Sequence, residues 1–504
     1  MPAHEPVSLG LSLPLWSVVP FAGLLLSIAL FPLFAPSAWA RHYAKVCLAF
    51  GVPVAGYFLL RAPAELLHTV LEYVSFLVLL ASLFTISGGI LLRGAPEGTT
   101  GVNCAILGIG ALLSNVFGTT GASMLLVRPL LRANAHRRRR AHVVVFFIFV
   151  VANIGGALTP IGDPPLFLGY LRGVPFFWTL RAMWPMWAAA VGLVIGVFSL
   201  ADRRAFALDA AEDGGPGAVS SDAAGPGAEV ARCRGVPVRG DAVVAWRPSA
   251  AAGESGPAGG SGPVRPGVDG AATSPDAAWD GAPGAVASAG GGAVKSPVAV
   301  SMAAGDARVP LSIEGLINLP LLGVVIGAVF LPTPWRETAM AAAAAVSVWK
   351  TPAKIREENE FTWYPIEEVA VLFAGIFATM IPALLILKAR GAELGVATPA
   401  HFFWATGALS SFLDNAPTYL TFFSLAQGLG GGQAVAGVSA PLLQAIGAGA
   451  VFMGANSYIG NAPNFMVKAI AEEAGVRMPS FFGYMAWSCG ILLPIFALLT
   501  LLFF

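Results

Sequence analysis

The chain has 504 residues, 56% of them hydrophobic and only 11% charged, with a mean hydropathy of +0.73. Soluble domains carry about 25% charged residues, so this composition describes an all-α polytopic membrane protein and argues against a soluble enzyme. A formal net charge of +1 gives no footprint for nucleic acid, and four scattered Cys (Cys47, Cys104, Cys233, Cys489) have neither metal nor disulfide spacing.

The N-terminal MPAHEPVS lacks the basic region of a cleavable signal, so the first apolar run is expected to be a retained span. Apolar runs of bilayer length fall near 12–35, 43–60, 67–92, 143–171, 175–201, 312–331, 336–349, 363–388, 441–470 and 480–504. These predict about ten transmembrane helices. Two further segments, 99–131 and 399–429, are apolar but broken in the middle by polar, Gly and Pro residues, which predicts re-entrant hairpins made of half-helices. Between the halves, 202–310 is almost wholly Ala, Gly, Pro, Ser, Val and Asp, without periodicity, and reads as a disordered linker. The expected organisation is a first repeat over 1–201, the linker over 202–310 and a second repeat over 311–504.

Charge sets the expected orientation. With the Arg-rich loop 132–142 cytoplasmic, as the positive-inside rule prefers, a returning hairpin at 99–131 puts Arg93, Arg41 and Lys45 on that side too. Arg203, Arg204, Lys350, Lys354 and Arg356 follow, with Lys388 and Arg390 as exceptions. The linker is then cytoplasmic, both termini are extracytoplasmic, and the protein sits as a multi-pass chain in the cell (inner) membrane.

The two halves resemble each other. LSNVFGTTGASML at 113–125 aligns without gaps to LSSFLDNAPTYLT at 409–421, and GALTPIGDPPLF at 156–167 to GANSYIGNAPNF at 454–465. The matched positions are polar, Gly and Pro rather than merely oily. Five spans and one hairpin per half is an odd number of crossings, so the second half enters the membrane in the opposite sense. Such inverted-topology repeats build many secondary transporters, with binding at the midplane where discontinuous helices meet.

Four breaks therefore converge. Gly155, Gly156, Thr159, Pro160, Gly162, Asp163, Pro164 and Pro165 unwind one crossing helix, and Asn456, Ser457, Gly460, Asn461, Pro463 and Asn464 its counterpart. Asn115, Thr119, Thr120 and Ser123 lie at the first hairpin tip, Asp414, Asn415, Pro417 and Thr418 at the second. Freed carbonyls, hydroxyls and amides are oxygen ligands suited to a hard cation such as sodium. Asp163 and Asp414 are the only Asp residues in the predicted spans and hairpins. A charge at that depth costs between ~2.5 and well over 10 kcal/mol, so each is expected either to bind a cation in competition with a proton or to cap the half-helix that follows. Both carboxylates are expected to be needed, Asp414 at least as much as Asp163. Glu72, His68 and the pair Glu367–Glu368 begin corresponding spans and read as interfacial. No cofactor and no histidine metal cluster is expected.

At these residues the chain resembles the citrate-transporter-like sodium:proton antiporters of the ion transporter superfamily. The motifs that carry the resemblance are SNVFGTTGASMLLVRPLLRAN, FVVANIGGALTPIGDPPLFLGYLRG, SSFLDNAPTYLTFF and GANSYIGNAPNFMVKAI. The resemblance implies inverted repeats with opposed hairpins, a scaffold part that forms a homodimer, and a moving transport part. It also implies cation ligands around Asn115, Thr119, Asp163, Asp414, Asn415 and Asn461. Exchange of sodium (or lithium) for protons is the favoured reading, with cation-coupled carriage of citrate or another organic carboxylate as the alternative. An organic-anion site would be expected to carry Ser-Asn-Thr at both tips, whereas Val116 follows Ser114-Asn115 and Phe412 follows Ser410-Ser411. An intramembrane enzyme would need a nucleophile with a His or a metal at depth, and the histidines lie in loops or at span ends.

Overall fold

The computed structural model describes residues 5–94, 96–213, 312–430 and 434–504, all within one compact unit. The first half comprises α1 (Glu5–Ser12), α2 (Val19–Phe34), α3 (Pro36–Arg61), α4 (Pro63–Ser87), β1 (Leu91–Arg93), α5 (Thr100–Ala133), α6 (Ala141–Val150), α7 (Pro164–Leu171) and α8 (Trp178–Asp213). The second comprises β2 (Ser312–Glu314), α9 (Asn318–Ala328), α10 (Trp335–Lys350), α11 (Ala353–Glu358), α12 (Tyr364–Arg390), α13 (Pro399–Ser410), α14 (Asn415–Leu429), β3 (Ala434–Val435), β4 (Val438–Ser439), α15 (Ala440–Met453), α16 (Ala462–Glu473) and α17 (Phe481–Phe503). Proline punctuates the early helices. Pro36 and Pro63 open α3 and α4 at the first helical position, and each forces the residue before it, Ala35 or Ala62, out of helical geometry.

Among the described residues, eight helices are long and apolar enough to cross a membrane: Leu15–Phe34, Pro36–Arg61, Pro63–Ser87, Thr100–Ala133, Ala141–Leu158, Trp178–Asp209, Tyr364–Leu394 and Phe481–Phe503. Three expected spans fall short of that length. The run at 312–331 spends its first residues on β2 and a turn at Gly315 (φ 78°), which leaves an α9 of 11 residues. The run at 336–349 is the 16-residue α10, and 441–470 divides into α15 and α16. In the first half α8 continues through Asp213, into the segment expected as linker. The reason is specific pairing: Asp202, fully buried, bonds Arg137 at 2.8 Å and His142 at 2.8 Å, and Asp209 bonds Arg139 at 2.9 Å. The rest of the expected linker lies outside the described residues.

The segment 100–133 is not one straight rod. A 34-residue helix would extend about 50 Å, yet its two ends touch. Asn103 and Asn134 exchange side-chain hydrogen bonds of 2.9 and 2.8 Å, and Gly98 N donates to Ala133 O at 2.9 Å. The chain reverses at Gly118 (φ 75°, ψ 158°), a backbone state that only Gly adopts without strain. The same end is tied to the second half, because Arg132 donates to Leu92 O at 2.5 Å and β1 pairs antiparallel with β2 (Leu91 with Glu314, Arg93 with Ser312). Helix α6 is apolar on every side and every residue of its AHVVVFFIFV after the first is buried, the pattern of a helix at the centre of a bundle. α13 packs on α15 and α5 on α6, so the hairpins and the interrupted helices share one core.

Candidate functional site

The middle of this core is built from four helix interruptions. α6 ends at Val150, a single 3-10 turn spans Ile154–Leu158, and α7 restarts at Pro164. The second half repeats the pattern with α15, a turn at Gly454–Asn456 and α16 from Ala462. Each loop doubles back on a glycine pair. A Cβ on Gly156 would sit 2.7 Å from Gly162 O, and one on Gly460 2.5 Å from Gly454 O, so neither loop could close with a side chain there. Pro165 and Pro463 lie in the first turn of the restarting helices, as does Pro164, where a missing N–H costs nothing. Pro417 lies in the first turn of α14.

Interrupted helices leave backbone groups without partners, and in a dry interior each must be satisfied. Asparagine does most of this. Asn115 donates from Nδ2 to Ala111 O (2.9 Å) and Gly155 O (2.7 Å), and its Oδ1 accepts Leu158 N (2.8 Å). Asn464 donates to Gly454 O and Ser457 O, both at 2.9 Å. Thr159 Oγ1 donates to Asn115 O (2.6 Å), and Ser457 Oγ makes the corresponding bond to Ser411 O (2.5 Å). Ser411 Oγ donates to Met453 O (3.2 Å), and Asn456 Nδ2 donates to Ser411 Oγ (2.9 Å). Several carbonyls expected to be open ligands are therefore already engaged by amide and hydroxyl donors.

Asp163 stands apart. It is fully buried at the N-cap position of α7, yet its side chain caps nothing. Its Oδ1 accepts from Thr119 Oγ1 at 2.9 Å and from Asn461 Nδ2 at 3.4 Å, and its Oδ2 accepts from Asn415 Nδ2 at 2.5 Å. Thr119 and Asn415 are equivalent residues of the two aligned hairpin tips, and Asp163 and Asn461 are equivalent residues of the two broken helices. One carboxylate thus joins all four interruptions. Asn461 N-caps α16 with the same extended backbone (φ −153°, ψ 139°, against −144°, 143° for Asp163) and no side-chain cap bond. Its Nδ2 also reaches Ala152 O (3.1 Å) and Asn153 Oδ1 (3.2 Å).

Asp414 behaves differently. Its Oδ1 accepts Ala416 N at 3.0 Å, a conventional helix cap on α14, and it is half-exposed. Its backbone (φ −55°) does not match that of the aligned Gly118 (φ 75°). Thr418 Oγ1 turns back to Asp414 O (2.9 Å), Thr120 is half-exposed beside Thr119, and Ser123 is buried behind the tip. Three buried oxygens in this region, Ser123 Oγ, Asn415 Oδ1 and Asn456 Oδ1, have no hydrogen-bond partner among the described residues.

Two participants were not singled out from the sequence. Asn153, fully buried, donates to Ile148 O (2.8 Å) and to Asn464 Oδ1 (2.6 Å), and so links the two broken helices. Continuing the repeat alignment pairs it with Val451, so a comparison of halves passes over it. Arg172, at the end of α7, makes a two-pronged ion pair with buried Glu72 on α4 (3.0 and 2.9 Å) and reaches Ser424 Oγ at 3.4 Å. Glu72, expected to be interfacial, is instead only 6% exposed.

A family model described as "Putative citrate transport" matches residues 10–223 and 294–504, both broken helices and both hairpins included. The chain belongs to this family. A comparison with curated proteins finds no match. The citrate-transport family and the apolar helices together make this a membrane protein of a transport family.

Proposed function

We propose that the protein exchanges sodium, or lithium, for protons, with Asp163 as the carboxylate that both ions use in turn. The observation that carries this reading is that Asp163 is wholly buried, caps no helix, and faces donors from both hairpins and from the opposite broken helix. An uncompensated charge there is expensive. Protonation removes it, and a sodium ion neutralises it. Because one carboxylate cannot hold both, arrival of either ion expels the other, which couples two opposite flows. Asn415 Oδ1 is the natural second ligand: hard cations take oxygen donors, and this buried acceptor has no partner among the described residues. Thr119 Oγ1 keeps a lone pair for the same ion while donating to Asp163. Asn115, Thr159, Asn456, Ser457, Asn461 and Asn464 hold the loops open around it. Asp414 has a lesser part here than the sequence alone suggests, because its side chain already caps α14.

The reading includes two inverted repeats with re-entrant hairpins at α5 and α13–α14, the Arg-rich loop 132–142 and the linker on the cytoplasmic side, both termini outside, and a homodimer. The meeting of the two ends of α5 and the matching Thr159–Asn115 and Ser457–Ser411 bonds support the repeat and hairpin elements.

One observation favours carriage of citrate or another organic carboxylate instead. Besides the family description, a cavity of about 430 Å3 is lined by His68, Lys388, Ser424 and Gln427, groups suited to a carboxylate, together with Glu65 and with Arg172, which Glu72 already pairs. Proteoliposomes containing a pH dye separate the two readings. Sodium or lithium alone should drive proton movement; a response that requires added citrate would replace exchange with symport.

A further inference from the structure

On the face where α5, α8 and α16 end and α6 and α17 begin lies a second cavity, of about 690 Å3. Its walls include Arg137, Arg138, Arg139, Arg140, His142 and Arg477, and no carboxylate is among its lining residues. Some of this charge is already offset. Arg137 pairs with Asp202, Arg139 with Asp209, and Arg138 is engaged as well, while Arg140 reaches Ala474 O and Gly475 O at 3.4 and 3.3 Å. Two neutral carbonyls do not discharge Arg140. Arg477 is exposed and makes no ion pair or hydrogen bond among the described residues. A surplus of guanidinium charge therefore faces one hollow. α6, ten residues long, starts beside it with no side-chain cap on its first N–H groups. Trp487, 39% exposed on the sparsely covered helix α17, forms part of the wall, so the hollow opens at the edge of the helix bundle.

We infer that this cavity binds a phosphate-bearing anion, either the headgroup of an acidic phospholipid or a free phosphate. Guanidinium groups pair with phosphate oxygens through two parallel hydrogen bonds, and basic pockets at the ends of membrane helices suit acidic lipid headgroups. An indole at the mouth is a typical interfacial anchor for the lipid beside it. The site is separate from the ion exchange proposed at Asp163 and stands or falls independently of it.

The full chain, purified in mild detergent and stripped of lipid, is titrated with cardiolipin, phosphatidylcholine or inorganic phosphate and followed by native mass spectrometry. Cardiolipin should bind, phosphatidylcholine should bind far more weakly, and R140Q/R477Q should weaken cardiolipin at least about tenfold, since each basic residue near the surface contributes measurably. Loss of bound cardiolipin at millimolar phosphate identifies the free anion as the ligand, and its retention identifies the lipid headgroup; both outcomes support the site. R477Q alone, which breaks no recorded bond, serves if the double variant does not fold, with a smaller loss in the same direction. Equal cardiolipin binding by wild type and variant, or equal binding of phosphatidylcholine and cardiolipin, overturns the inference.

Discussion

Asp163 and Asn461 occupy corresponding positions of the two broken helices, with nearly the same backbone angles, and they touch. Yet one is an acceptor facing donors and the other a donor facing acceptors. Around Asp163 stand Thr119, Asn415 and Asn461; around the Asn461 amide stand Ala152 O, Asn153 Oδ1 and Asp163 itself. The two aligned breaks share a backbone geometry, and side-chain chemistry then makes only one of the pair an acceptor facing donors. Sequence similarity between the halves therefore overstates how alike they are at the one point that matters.

The harshest way to break this comparison is to make the halves chemically equal. Asn461→Asp would turn two carboxylates toward each other and aim a carboxylate at two acceptor oxygens. We expect a loss of about 3–5 kcal/mol, the range for an uncompensated buried charge, visible as a collapse of melting temperature or of folded yield. A variant as stable as wild type would mean that the two positions are interchangeable.

Next come the glycine pairs. A Cβ on Gly156 would meet Thr119 Cγ2 at 2.6 Å and the Gly162 carbonyl, which is backbone and cannot swing away, at 2.7 Å, whereas one on the aligned Gly454 would meet Asn153 Oδ1 at 3.1 Å and Gly460 O at 3.2 Å. Gly156→Ala should lower the melting temperature clearly more than Gly454→Ala. Equal effects would show that the first loop is no tighter than the second.

The loop braces differ as well. In the first half one residue, Asn115, makes three bonds; in the second Ser411 and Asn456 share the corresponding work. Asn115→Ala should cost about 2–3 kcal/mol and Ser411→Ala about 1 kcal/mol, since each buried group left unpaired costs ~1–3 kcal/mol. Chemical denaturation in detergent ranks the two.

The smallest expected effect on stability is at Asp414. Asn is as good an N-cap as Asp, so Asp414→Asn should stay within about 0.5 kcal/mol of wild type in the same denaturation series and reduce exchange only partly. Complete loss of exchange would return Asp414 to the centre of the mechanism.

Much of this frame could be read in the chain because membrane interiors forbid waste. Gly, Pro, Asn and Asp inside oily runs mark interruptions, and α5, α13–α14 and the breaks before α7 and α16 lie where such residues cluster. Hydropathy records oiliness rather than where a helix begins, so it could not foresee that Gly315 and β2 take the start of 312–331, or that Asp202 and Asp209 hold α8 beyond 202. Nor could spacing separate the roles of the two Asp residues. Both precede a half-helix, as a cap does, and only their partners across the core distinguish the capping Asp414 from the non-capping Asp163. Asn153 escaped because its repeat partner is apolar.

The most direct test is sodium-driven proton movement in proteoliposomes, comparing wild type with Asp163→Asn. The substitution keeps size and leaves the surrounding Asn and Thr groups in place while removing the charge that a proton and a cation exchange. With Asp163 as the shared carboxylate, wild type releases protons on addition of sodium and Asp163→Asn, although folded, does not. Near-normal exchange by a folded Asp163→Asn protein would contradict the account at its centre.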